Sequence, residues 1–536
     1  MLPASVQLWM RDIRGAPEVE HITLQAKAIP TIMTGSAITV CSGSIKGRSP
    51  VLAVGSGLGN SQQPLPVPMN PKLEQTTVTP EEDYLDKSGF ISAQMEQSVL
   101  PVTRTLKQLD EMRSNKTGEN VATAAGDRFY DRCAKFSEQL TDMCNDFDKL
   151  LYFPRCNRYA HKSVTAGREL VAGIRQQAAT LTSLRYRVTR NLSGPTSRNQ
   201  SELLPVISHL HGRFVEHIVL MDCEMLVQAL DQSKNKVGFM RTVTAISGFA
   251  DRGNHVRRLF CKAGAVVSLL RSDFPFDDTE SVRVVALRCL ANVSCHPDSL
   301  LSLEKDSNFQ KLIAMIWINA NSNAIRCETA GVLAQIAAHL QPTKRKSDEV
   351  TAAAATLLDS LIDALPAVVR ALVYVTKHVK DEETLLVVAA CIANLSLLHS
   401  VTPVLELVCQ QDCMSSLLLA WRNGYAATLF TKNQITGAVL GLSMQSFGQD
   451  YLMTQPSLAE FFIDVLNQCL PEKSLAEAEI AVRNRVVRRS LIILGCLLKR
   501  DKFRSIFLKS QGIIIYQKVL GFANRETTPR SFHNVK

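Results

Sequence analysis

The chain has 536 residues, 46% of them hydrophobic and 21% charged, with a formal net charge of +10. That apolar content can bury a large core, while ten excess positive charges over 60 basic and 50 acidic residues fall short of the dense basic stripe of a nucleic-acid binder. The 14 cysteines show no disulfide-like spacing, and Cys289, Cys327, Cys391 and Cys496 fall inside apolar helical segments, so a reducing compartment is expected.

Residues 1–30 open with a candidate helix, Ser5 to Arg14, and no signal peptide is expected because no basic leader precedes a sustained apolar run. Val6, Trp9, Met10 and Ile13 stand at i, i+3, i+4 and i+7 and make one narrow apolar face on a helix too short to be stable alone. Gly15 and Pro17 end it, and Glu18 to Lys27 then alternates as an extended segment does. A marginal helix followed by an extended stretch is the pattern of a segment that orders on a partner. The alternative is that Trp9 and Met10 fold back onto the protein's own helices.

Residues 31–89 are rich in Gly, Ser, Thr and Pro, with Pro64, Pro66, Pro68 and Pro71 close together, and are expected to be a disordered linker. Gly55, Gly57 and Gly59 lie in it without the Lys-Ser/Thr that a phosphate loop requires. Helical periodicity returns in residues 90–250, as in Arg128 to Leu140 and Val206 to Ile218, which predicts an N-terminal helical region or cap. His209, His211, His217 and Cys223 point in different directions at helical spacing, so no metal site is expected.

Across residues 251–523 a helical phrase recurs about five times. A short apolar run such as Ala263 to Leu270 leads through a loop to a longer helix, whose best copies contain Cys289-Leu290-Ala291-Asn292-Val293-Ser294 and Cys391-Ile392-Ala393-Asn394-Leu395-Ser396. Aligned on Leu290, the phrase returns at Leu333, Ile392, Val439 and Ile493, with spacings of 43, 59, 47 and 54. Such periods predict stacked helical repeats, each burying the apolar face of its neighbour, in a right-handed superhelix with a long concave surface. The 59-residue step is expected to hold an inserted polar loop, Leu340 to Val350, in which Lys344, Arg345 and Lys346 are solvated. The longest uncharged stretch, Thr384 to Leu405, reads as a buried repeat helix, not a membrane span. Residues 524–536 read as a flexible tail.

Asn292 and Asn394 are candidate groove residues, since an Asn amide can hold a peptide main chain in an extended form as the armadillo asparagine ladder does. The alternative is that they satisfy nearby backbone in a buried bend. Equivalent positions are Gln335, Gly441 and Gly495, and Trp317 and Trp421 fall in second helices, so a nuclear-import receptor is not expected. Basic residues gather at Arg483, Arg485, Arg488, Arg489, Lys499, Arg500, Lys502 and Arg504, either a solvated helix face or a site for acidic peptide or anionic lipid, with Arg485 and Arg489 the groove candidates. Cys409 and Cys413 share a helical face as packed thiols. No catalytic residue, cofactor or metal ligand set is expected, and an enzyme is not.

Ser5-Val6-Gln7, Trp9-Met10 and Asp12, the later Leu24-Gln25-Ala26-Lys27 and the armadillo-like C-terminal half together resemble the Inscuteable family. The resemblance implies an all-α, armadillo-like adaptor of asymmetric cell division. It implies that Val6, Trp9, Met10, Asp12, Ile13, Glu18, Glu20, Leu24, Gln25 and Lys27 lie along the TPR groove of a Pins/LGN-type protein. The repeats would engage a Bazooka-type polarity scaffold. The expected location is cytoplasmic with recruitment to the cell cortex, with room for higher-order assembly with the TPR partner and without nucleic acid or integral membrane contact. Terminal Lys536 does not suit the apolar pocket of a PDZ domain, so no C-terminal PDZ ligand is expected. The alternatives are a generic armadillo-repeat scaffold for other extended peptides and an RNA-binding solenoid, which 6% aromatic content disfavours.

Overall fold

The computed structural model describes residues 98–112, 124–152, 161–189, 196–271, 279–317, 322–341, 347–398, 401–470, 477–510 and 512–527. The expected partner peptide of residues 1–30, the linker of 31–89, the Lys344–Lys346 run and the 528–536 portion of the tail lie outside them. Every regular element among the described residues is helical.

Four helices come first: α1 over residues 98–112, α2 (Ala124–Tyr152), α3 (His161–Thr189) and α4 (Thr196–Asp231). Val102, Phe136, Phe147, Ile174 and Phe214 form their core, and the Phe147 and Phe214 rings meet edge-on with centroids 5.2 Å apart. A second core runs without a break from Cys223 to Val519. The helix α4 belongs to both, giving Met221 and Met225 to the first and Cys223, Leu226, Val227 and Leu230 to the second.

After α5 (Lys236–Ala250) the chain repeats short–short–long. The first unit is α6 (Asn254–Lys262), α7 (Ala265–Leu270) and α8 (Thr279–Val293); the second is α9 (Ser299–Glu304), α10 (Asn308–Trp317) and α11 (Asn323–Leu340). Gly264 makes the tight turn between α6 and α7 at φ 88°, a left-handed conformation that costs a glycine little. In the third unit one helix, α12 (Asp348–Lys377), precedes α13 (Glu382–Ser396). The fourth is α14 (Thr402–Gln410), α15 (Cys413–Arg422) and α16 (Leu429–Ser443), and the fifth is α17 (Ser446–Leu452), α18 (Leu458–Gln468) and α19 (Glu477–Leu497). A helical pair, α20 (Asp501–Lys509) and α21 (Gly512–Thr527), closes the array. Trp317 and Trp421 end second helices, α10 and α15.

The fold is an all-α, armadillo-like stack in which α8, α11, α13, α16 and α19 pack in succession. Its long third-unit step has a cause the repeat spacing does not reveal. A single 30-residue helix stands where the other units have two short ones. Val350, Ala353, Leu357, Leu361, Leu365, Val368 and Leu372 hold one buried stripe along it, and Ser347 caps its start by accepting from the Val350 N–H at 3.3 Å. It is long and apolar enough to cross a membrane by length and composition, but that stripe packs on α9, α10, α11, α13, α14 and α15. Caps also fix where the long helices begin: Ser322 for α11, Asp381 for α13 and Thr428 for α16 each accept from the N–H three residues on.

The expected open concave surface is corrected in the middle of the array. α11 from Cys327 to Leu340, α13 from Leu385 to Ser396 and α16 from Thr431 to Ser443 are buried on every side. Small residues allow this, because Ala330, Gly331, Ala334, Ala389, Ala393, Gly437, Ala438 and Gly441 bring the backbones together. At Gly441 an added Cβ would run into the Ser396 carbonyl and lie 2.8 Å from the Ser396 Cβ. Sequence alignment shows Gly441 as a break in the asparagine ladder; in three dimensions it is where α13 and α16 touch.

Candidate functional site

Buried polar side chains join each repeat to the one before it. Asn292, at the end of α8, is fully buried. Its Oδ1 accepts from Arg257 Nε at 3.1 Å, and its Nδ2 donates to Asp251 Oδ1 at 2.9 Å and to the Ser247 carbonyl at 3.2 Å. Arg257, only 1% exposed, donates through Nη1 to Asn254 Oδ1 at 2.9 Å. One unit on, His339 Nε2 lies 3.0 Å from the Ser294 carbonyl. Asn394 Nδ2 donates to the Ala334 carbonyl at 2.8 Å, and Arg489 Nη1 donates to the Asn433 carbonyl and Oδ1, both at 3.2 Å. Four of the five long helices, α8, α11, α13 and α19, therefore each send a polar side chain back to the backbone that ends or underlies the preceding long helix.

A second set of bridges links neighbouring units. Arg288 on α8 donates through Nη2 and Nε to Glu328 Oε1 of α11, at 2.6 and 3.1 Å. Glu382 Oε1 of α13 accepts from the Thr428 N–H at 2.8 Å, the Thr428 hydroxyl at 2.7 Å and the Thr431 hydroxyl at 2.8 Å, pinning the first turn of α16. Asp464 of α18 accepts from Lys432 Nζ at 2.6 Å and Trp421 Nε1 at 2.9 Å.

These positions bear on the sequence candidates. The amides of Asn292 and Asn394 are turned into the protein and hold backbone carbonyls, which is the buried-bend alternative; neither is presented to a peptide in this structure. Arg489 is likewise buried, threaded past Gly437, where an added Cβ would lie 2.9 Å from its Nη1. Arg485 is half-buried and donates through Nε to the Ala481 carbonyl at 3.4 Å; burial, and then the nearby Arg489 charge, lower its pKa. Val6, Trp9, Met10, Asp12, Ile13, Glu18, Glu20, Leu24, Gln25 and Lys27 lie outside the described residues. Sequence reasoning missed Arg257, Glu328, His339 and Glu382. For His339 a signal existed, since it follows Gln335, the Asn-equivalent position, by one helical turn.

His209 is exposed, His211 buried and His217 held 2.6 Å from the Ser163 carbonyl. No group of three or more His, Cys, Asp or Glu among the described residues is placed to hold a metal ion. Burial pushes the thiol of Cys409 up to about 11 and that of Cys413 to about 12, so both stay protonated and pack as small hydrophobes.

Glu328 gives one bridge a pH dependence. Burial is the largest influence and raises its pKa above the ordinary 4.5, against the opposing hydrogen bond and charge of Arg288, with Glu383 adding to the rise. The folded state thus holds this proton more tightly than the unfolded chain. The stability it contributes is full below the ordinary carboxylate value and fades as pH rises through the raised one. Glu328→Gln should flatten this decline in urea melts taken between about pH 4 and about pH 7; an unchanged slope would count against the assignment.

Residues 181–513 match the family model described as protein inscuteable C-terminal. The protein inscuteable homolog of Homo sapiens is 25% identical over 307 residues, covering 56% of this chain and 49% of that protein. The protein inscuteable homolog of Mus musculus is 25% identical over 305 residues, with the same coverage. The chain thus spans about half the length of the curated relatives it matches. Among solved structures, a designed armadillo repeat protein in complex with the peptide (KR)4 aligns with a TM-score of 0.36 and 15% identity, covering 50% of this chain and 99% of that one. With a family match over more than half of its length, covering α4 to α20 entire, this chain belongs to the inscuteable family.

Proposed function

We propose that the protein is a non-catalytic adaptor of asymmetric cell division that tethers two partners. Residues 1–30 bind a Pins/LGN-type TPR protein through the apolar face Val6, Trp9, Met10 and Ile13, with Asp12, Glu18, Glu20, Leu24, Gln25 and Lys27 along the same groove. The repeat array engages a Bazooka-type polarity scaffold, so that spindle-orienting machinery is brought to the cell cortex. The observation that carries this reading is that the inscuteable match, residues 181–513, coincides with a continuous stacked array. Two modest contacts on one chain raise the effective concentration of each for the other.

The buried middle helices favour a scaffold surface at the array's outer faces over a peptide laid along a central asparagine ladder. Arg485, close to Arg489, is the residue we assign to an acidic stretch of the polarity partner.

The test is titration of the full chain with a Pins/LGN-type TPR domain. Saturable binding is expected, and Trp9→Ala with Ile13→Ala should weaken it by at least about thirtyfold, as loss of a buried aromatic anchor does. Wild-type affinity in that variant would overturn the peptide reading and leave a generic armadillo scaffold.

A further inference from the structure

The array ends on a pair of helices whose outer faces no further repeat covers among the described residues. α20 turns Phe503 and Phe507 inward and α21 turns Tyr516 and Val519 inward, and both pack on α18. Leu508 and Ile514 point the other way, Ile506 flanks the buried stripe, and they are 49%, 51% and 39% exposed. Each stands four residues from a base on its own helix: Lys502 with Ile506, Arg504 with Leu508, and Ile514 with Lys518. At that spacing the two side chains share a helix face.

Charge on this end is one-sided. Between residues 499 and 518 the only acid is Asp501, which pairs with Arg504. Arg500 reaches Asp450 at 3.3 Å. Lys499, Lys502, Lys509 and Lys518 are exposed and make no ion pair among the described residues.

An occupant must satisfy protruding aliphatic side chains and unpaired lysines together. A second copy stacking end to end would bring like charges into contact, and an acidic peptide would answer the lysines but leave the aliphatic groups in water. Negative headgroups above hydrocarbon answer both. Interfacial helices bury apolar side chains at the headgroup boundary while lysine stems reach up to the phosphates.

We propose that the C-terminal end of the array, α20 and α21, docks on an anionic lipid bilayer, inserting Leu508 and Ile514 with Ile506 at the edge of the contact, and placing Lys502, Lys509 and Lys518 among the headgroups. This contact needs neither protein partner proposed above and gives the adaptor its own hold on a membrane surface.

The experiment is co-sedimentation of the purified full chain with phosphatidylcholine vesicles containing roughly a third phosphatidylserine, beside phosphatidylcholine alone and a vesicle-free control. Binding to the anionic vesicles that falls with added salt is expected. Lys502→Gln/Lys509→Gln/Lys518→Gln should weaken partitioning by roughly a hundredfold, at about a fivefold loss for each base at the surface. Ile506→Ser/Leu508→Ser/Ile514→Ser should weaken it by at least about tenfold. All six side chains are exposed, so both variants should keep the wild-type circular dichroism and melting temperature. Equal binding to neutral vesicles, or wild-type partitioning in both variants, would overturn the proposal. So would vesicle-free self-association abolished by the serine variant, which would identify a second copy as the occupant.

Discussion

Gly441→Ala is expected to destabilise the protein by about 3 kcal/mol, the upper end of what overpacking a tight core costs. The new methyl would meet the carbonyl carbon and oxygen and the Cβ of Ser396. Backbone atoms cannot rotate away as a side chain can, so α13 and α16 must separate, and with them the contacts on either side. Gly212→Ala is the control. Gly212 lies within α4 with nothing within 4 Å of its added Cβ, so there the substitution should stabilise by about 0.5 to 1 kcal/mol through helix propensity alone. Urea melts of both variants read the difference; a Gly441→Ala protein as stable as wild type would show that the two helices do not touch here.

Asn292→Ala is expected to cost about 3 kcal/mol, because it strands the buried Arg257 guanidinium and breaks two further hydrogen bonds at once. Arg257 loses the acceptor for Nε, and Asp251 and the Ser247 carbonyl lose a donor. This outcome separates the two readings of the residue. A bracket between repeats fails in a denaturation curve with no ligand present. A peptide-gripping asparagine would leave that curve unchanged and lose only partner affinity.

The fold was legible where the sequence repeats itself. The Leu290-Ala291-Asn292 and Ile392-Ala393-Asn394 phrases ended up near the ends of long inner helices, α8 and α13, because apolar periodicity and a local cap are enough to set such an element. Fusion of two short helices into α12 was written in the unbroken spacing from Val350 to Leu372, but an irregular interval between motifs suggests a loop just as readily. The polar bridges were out of reach for a different reason. Their partners lie 32 to 60 residues apart, from Lys432 with Asp464 to Asn394 with Ala334, and no local pattern states which group a side chain will find. Gly441 illustrates the limit: its lack of a side chain is visible in the sequence, whereas the neighbour that forbids one is not.

The helix shared between the two cores has a mechanical meaning. α4 offers alternate faces to the N-terminal bundle and to the array, so neither can turn about it without drawing Met221 and Met225, or Leu226 and Leu230, out of their packing. There is no slack joint at that point. A torque entering through α1, α2 or α3 is expected to reach α5, α6 and α7 through that shared helix. In the spindle-orienting role proposed above, a stiff arm of this kind would hold an angle that a flexible leash leaves free.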